Sequence, residues 1–314
     1  MTGLGRFALK RVLTAVPVLL GVTLVSSLLI HLVPGDPART LLGLKATAAQ
    51  VAHLDRQLGV DKPLPVQYVD FLKHVVTGSF GTSILSGRSV GSLILQRLPV
   101  TVWLLAYALL LSVVLAVPLA MLAASRPGAI RDHSVRGVSI LALGVPQFVV
   151  GILLIQLLAV DHHVFPPSGF GTGVAGHIKS MFLPSLSLAL GGVPLIVRSL
   201  RAEMLKVTEA DHVTIARAKG LPERAVRIRH ILRNALSPSV AVLTVGLAGA
   251  VGATVIVEDV FAVPGLGDLL INSISGRDFP VVQGVVVIMA VMVLAITAVG
   301  DVLQGILDPR VKLT

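Results

Sequence analysis

Apolar residues dominate six stretches of this 314-residue chain, at roughly 10–33, 98–124, 136–160, 180–200, 236–257 and 280–304. Each is long enough to cross a bilayer as a helix, which takes about 20 residues. None alternates with a period of two, and lipid offers no partner to backbone N–H and C=O groups, so the stretches predict transmembrane α-helices. The expected fold class is an all-α integral membrane protein with about six spans. The first stretch, from Val12 to Val33, is too long for a secretory leader and reads as an uncleaved span. Pro118, Pro146, Pro184 and Pro194 fall inside spans and predict kinks.

The polar intervals are unequal. The longest, 34–97, predicts an external subdomain. Within it Val66, Val69, Leu72, Val75 and Val76 recur at helical spacing and predict a surface helix over 65–76. The other long polar interval runs from Arg201 to about residue 235 and carries eight Arg or Lys residues. Thr208 stands three residues before Asp211 and predicts an N-cap with an acidic partner. Val207, Ala210, Val213 and Ala216 then share one helix face, and Gly220 with Pro222 predicts the stop. A short helix over 207–219, with a small apolar face and charged flanks, is expected to be a docking element.

Charge supplies orientation. The net charge is +10, with only 13% charged residues and a mean hydropathy of +0.89. Lys and Arg crowd the intervals before the first span, around 126–136 and over 201–235, whereas 161–179 and 258–279 together hold only Lys179 and Arg277 against Asp161, Glu258, Asp259, Asp268 and Asp278. Both termini are therefore expected in the cytoplasm. The same distribution, without interleaved aromatics, argues against nucleic acid as a partner. Asp301, near the inner end of the last span, predicts a contact between helices or with a partner. Gly246, Gly249, Ala250, Gly252 and Ala253 make the fifth span a small-residue surface fit for close helix approach.

Candidate chemistry is sparse. There is no cysteine, no GxxxxGK[ST] loop and no HExxH pair. His162 and His163 are adjacent, a spacing that does not put two imidazoles on one helix face. Gly265-Leu266-Gly267-Asp268 spells the GxGD of intramembrane aspartyl proteases, but that chemistry needs a second acid on a neighbouring span, no earlier span has an interior Asp or Glu, and Asp268 falls in an external loop full of acids. No metal site and no catalytic set is expected.

The segments ARAKGLPERAVRIRHILRNALSP (216–238) and VEDVFAVPGLGDLLINSISGRDFPVVQG (257–284) resemble the membrane-spanning subunits of ATP-binding-cassette (ABC) importers, specifically the dipeptide/oligopeptide/nickel permease family. PGDP at 34–37, LGVDKPLPVQY at 58–68 and DPR at 308–310 agree with it. The resemblance implies a type I importer fold, divided into a first span (1–33), the external subdomain (34–97), a transport core (98–305) with its coupling loop (201–235), and a tail (306–314). It implies a bacterial inner-membrane permease for di- or oligopeptides. Nickel, glutathione or another small solute is the alternative inside the family, and a self-sufficient secondary transporter the alternative outside it. Implied partners are a second permease, one or two ABC ATPases and an extracytoplasmic substrate-binding protein. ATP and Mg would be bound by the ATPases, with no cofactor in this chain. The resemblance assigns ATPase coupling to Thr208, Glu209, Asp211, His212, Ile215, Ala216, Arg217, Ala218, Lys219 and Gly220. It assigns an external gate or binding-protein contact to Phe261, Pro264, Gly265, Leu266, Gly267 and Asp278. The broader importer motif begins Glu-Ala-Ala with its glycine seventh. Here the frame starts at Thr214, so the glutamate is missing, and Glu209 lies out of register.

Overall fold

A computed structural model describes residues 3–32, 47–51 and 62–307. The PGDP and DPR segments lie outside the described residues, as does most of the interval from 33 to 61. Helix α1 (Gly3–Leu32) is followed by α2 (Leu64–Thr77), α3 (Val90–Ala124), α4 (Ile130–Leu143) and α5 (Gln147–Leu154), which widens into a π-helical turn to Asp161. Then come α6 (Gly173–Thr208), α7 (Asp211–Ala218), α8 (Glu223–Val260, π-helical over Val226–Leu232), α9 (Leu266–Ser275) and α10 (Phe279–Leu307). Four helices, α3, α6, α8 and α10, are long and apolar enough to cross a membrane. With α1, which carries the apolar stretch Leu13–Leu28, and the α4–α5 pair, they account for the six predicted stretches.

The third stretch differs from the expected single span. It breaks between α4 and α5 with a bend of 101°. The cause is local: Gly144 ends α4, and Pro146, extended at ψ 140°, starts α5. Proline offers no N–H to the preceding turn and pushes the residue before it out of the helical region. In α6 the same residue type at Pro184 and Pro194 leaves the helix continuous.

Helix α6 is the centre of the bundle. Two thirds (67%) of its most apolar window is buried, against 17% for α8. At the basic end, Val193, Leu200 and Met204 of α6 pack with Ala116 and Ala120 of α3, Val213 and Ala216 of α7, and Val226 and Ala235 of α8. At the other end, Val90 and Ile94 of α3, Val251 of α8, Leu266 and Leu270 of α9, and Val281 and Val285 of α10 form a second core. Helix α3 begins at Val90, two turns before the expected span, and those turns reach this second core. Asp301 of α10 pairs with Arg11 of α1, the inter-helix contact its position predicted.

Helix α2 matches the predicted surface helix and leans on α1, where the Tyr68 hydroxyl donates to the Leu20 carbonyl at 3.0 Å. On its exposed flank Lys62 and Lys73 hold the Asp70 carboxyl below its ordinary pKa.

Candidate functional site

The basic interval between the fourth and fifth spans is almost wholly helical. Helix α6 runs on to Thr208, and α8 starts at Glu223, leaving α7 as an eight-residue crossbar between them. Thr208 does not cap α7. It closes α6, its hydroxyl donating to the Met204 carbonyl at 2.7 Å, and the residue at the N-cap of α7 is Ala210. The predicted helix is therefore shorter at both ends. A threonine inside a continuing helix satisfies itself on the preceding turn, which removes it as a cap.

The end of α7 is as expected. Gly220 adopts φ +76°, a left-handed conformation that glycine reaches without a side-chain clash. Its N–H donates to the Arg217 carbonyl at 2.9 Å, and the Leu221 N–H donates to the Ala216 carbonyl at 3.3 Å. These are the paired bonds of a Schellman stop.

Of the predicted face, Val213 and Ala216 are buried in the core of the basic end, and Val207 packs beside them. Glu209, Asp211, His212, Ile215, Arg217, Ala218, Lys219 and Gly220 are exposed. Ile215 is 54% exposed and Leu221 41%, so two apolar side chains point away from the bundle among charges. Arg217 grips Glu223 with two bonds of 3.2 Å, and Arg227 adds a third, tying α7 to the start of α8. His212 lies 3.4 Å from the Asn234 amide of α8.

At the other end of α8 a second polar assembly closes the chain upon itself. Pattern reasoning places Glu258 in a loop. The structure puts it in the last turn of α8, fully buried. Its carboxylate accepts from the N–H groups of Gly267 at 2.6 Å and Asp268 at 3.3 Å, and from the Thr101 hydroxyl of α3 at 2.7 Å. Thr101 in turn accepts from the Leu266 N–H at 2.8 Å. Glu258 thus serves the free donors at the start of α9, which an N-terminal dipole favours. The glycines make room for it. A Cβ at Gly265 would collide with the Glu258 carboxylate, and one at Gly267 with the backbone of Val255. Asp268, the acid of the GxGD string, pairs with Arg97 at 3.1 Å.

Asp278 is also buried, accepting from the Ser83 hydroxyl at 2.5 Å and the Ile84 N–H at 3.1 Å, which pins the loop before α3 to the start of α10. Phe261 is buried against Gly151, and its carbonyl accepts from Gly169. None of the residues expected at an external gate or binding-protein contact is exposed. Phe261, Gly265, Leu266, Gly267 and Asp278 lie inside, where they shape the turn, and Pro264 is half-buried. Thr101, Arg97, Ser83 and Glu258 complete the assembly, and nothing in their local spacing marks them. The one signal in the sequence is their polarity at the edges of apolar stretches.

Between the two ends a cavity of about 500 Å³ opens beside α8. Ala108 and Ser112 of α3, Gln147 at the bend, Leu188 and Gly191 of α6, and Gly246, Gly249 and Ala250 of α8 line it. A Cβ at Gly246, Gly249 or Gly252 would meet nothing within 4 Å, so the glycines of this face are unpacked within the chain, while Ala250 and Ala253 pack on its cores. Among the described residues no group of three metal-binding side chains comes together.

The sequence model of the family described as "Binding-protein-dependent transport system inner membrane component" matches residues 116–313, and its N-terminal companion model matches residues 4–105. The oligopeptide transport system permease protein AppB of Bacillus subtilis (strain 168) is 34% identical over 312 residues, covering 98% of this chain and 99% of that protein. The glutathione transport system permease protein GsiC of Salmonella typhimurium is 35% identical over 306 residues, with 98% of each chain covered. The dipeptide transport system permease protein DppB of Lactococcus lactis is 33% identical over 309 residues, covering 98% of this chain and 99% of that protein. Among solved structures, an inward-facing form of the MetNI methionine ABC transporter superposes with a TM-score of 0.58 at 19% identity, covering 69% of this chain and 96% of that one. At that identity the likeness speaks for the fold.

Proposed function

Because the chain belongs to the binding-protein-dependent transport system inner membrane components, the permeases of ABC importers, we propose that it forms half of a membrane path for di- or oligopeptides and is driven by separate ATPase subunits docked on α7. The observation that carries the coupling half of this reading is the build of α7. Its inner face is locked into the core of α3, α6 and α8, while Ile215 and Leu221 stand out among charges. A push on the exposed side has no slack to lose before it reaches three long helices, which is what a two-state rocking bundle requires. The partner ATPases would hold ATP and Mg, and this chain supplies no catalytic group.

A second, related permease would cover the glycine face of α8, which suits close helix approach and belongs to the least buried of the four long apolar helices. An extracytoplasmic binding protein would meet the end that carries α9, with the Glu258 assembly as the rigid frame of the outer gate rather than its contact surface. The peptide substrate rests on the names of AppB and DppB, and the name of GsiC favours glutathione as the second reading. Both solutes carry peptide bonds.

The absence of native cysteine permits a clean test. An Ile215→Cys variant in native membranes, crosslinked and identified by mass spectrometry, is expected to capture a P-loop ATPase. A folded, thiol-reactive protein that captures none would overturn the coupling role of α7. Competition of labelled peptide uptake by dipeptide, oligopeptide and glutathione would then separate the substrates.

A further inference from the structure

A second groove, of about 470 Å³, lies between α4 and α6 at the basic end, away from the cavity beside α8. Its lining combines two kinds of side chain. Ile140, Leu143 and Val197 are apolar, and Arg136, Arg198 and Arg201 are cationic. Arg201 is already committed. It meets buried Asp132 with two bonds of 2.6 Å, and this pair fastens α4 to α6. Arg136 and Arg198 are exposed, and neither is ion-paired among the described residues. Asp132 balances one of three guanidinium groups, so the groove keeps a surplus of positive charge.

The surroundings say what kind of anion fits. Helix α4 leaves an apolar face uncovered, with Val138 67%, Ile140 68% and Leu141 74% exposed. Arg136 opens the third apolar stretch and Arg198 closes the fourth, so both guanidinium groups stand at the boundary where hydrocarbon gives way to headgroups. A soluble phosphate would satisfy the arginines but leave the apolar wall bare. A charged protein surface would find little to pair with on that wall.

We propose that this groove is a binding site for an anionic phospholipid, whose phosphate is held by Arg136 and Arg198 and whose acyl chain lies along Ile140 and Leu143. Guanidinium groups suit the phosphate, since they present planar donors and are weakly hydrated. Basic pockets between transmembrane helices are the expected seat of such headgroups. Because Asp132 and Arg201 join the two walls, an occupied groove also braces α4 against α6, one bend away from the cavity.

The test uses the assembled transporter purified from native membranes in mild detergent. Tetraoleoyl cardiolipin or dioleoyl phosphatidylcholine is supplied, and bound lipid is read by native mass spectrometry. Cardiolipin retention is expected to fall at least about tenfold in the Arg136→Gln/Arg198→Gln double variant, with phosphatidylcholine unchanged. The Lys pair at the same positions should recover part of it, and Arg224→Gln, an exposed arginine outside the groove, should retain it all. If the double variant does not assemble, each single Gln variant should show a several-fold loss. Undiminished cardiolipin on the Gln variants would overturn the proposal. So would an Arg198→Cys crosslink that traps a partner subunit in place of lipid.

Discussion

The two ends of α8 solve opposite problems with the same few residue types. At the end that carries α9, acids and hydroxyls are buried and find their partners inside the chain: Glu258 with Thr101 and two backbone N–H groups, Asp278 with Ser83 and Ile84. At the basic end the pairs that tie α7 to α8 sit at the surface, as in Arg217 and Glu223 at 40% and 46% exposure, and the apolar side chains Ile215 and Leu221 turn outward. Buried polar groups are costly unless every partner is present, so they hold one geometry firmly. Surface pairs contribute little and leave room for a partner to change the balance. The turn before α9 is thus closed within the chain, and the α7 crossbar leaves its apolar and charged side chains exposed.

This contrast is open to attack by substitution. The largest loss of stability is expected from Glu258→Ala, which strands two backbone N–H groups and Thr101 in a dry site. Thermal unfolding in detergent should show about 3 kcal/mol of destabilisation, and an unchanged melting temperature would refute the internal closure of the end that carries α9. Gly267→Ala should cost about 2 kcal/mol by the same measurement, because its Cβ meets the Val255 backbone. At the basic end Gly220→Ala is expected to cost about 1 kcal/mol, the strain of a left-handed alanine. Ile215→Asp should change stability least, within about 0.5 kcal/mol for a surface site, yet abolish peptide uptake in whole cells. Normal uptake at normal expression would remove Ile215 from the docking surface and leave the two ends alike.

Much of the bundle was legible in the pattern of apolar stretches, because a membrane helix has to satisfy its backbone internally whatever its neighbours do. The Schellman stop at Gly220 was legible for the same local reason. Three features were not. Thr208 carries the signature of a cap, but only the path of α6 decides whether the helix has ended by then, and packing of Met204 into the core carries it onward. Pro146 announces a disturbance, while its size, a slight kink or 101°, depends on Gly144 beside it and on the groups that Ser187 and Gln147 present across the bend. The Glu258 assembly draws on Thr101, 157 positions away, and no spacing rule joins residues so distant.

The bare glycine face of α8 also has a meaning for the cell's accounting of subunits. A copy made without a mate would hold Gly246, Gly249 and Gly252 against lipid, where no methyl group fills the furrow they leave. On the reading that a second permease covers α8, that furrow is a mark by which membrane proteolysis would tell surplus from finished product. On this hypothesis the half-life of the chain in a pulse-chase should shorten when its mate is deleted, and filling the furrow with Gly249→Leu should lengthen the orphan's life while preventing assembly. An orphan as long-lived as the complex would show that the two surfaces are not told apart.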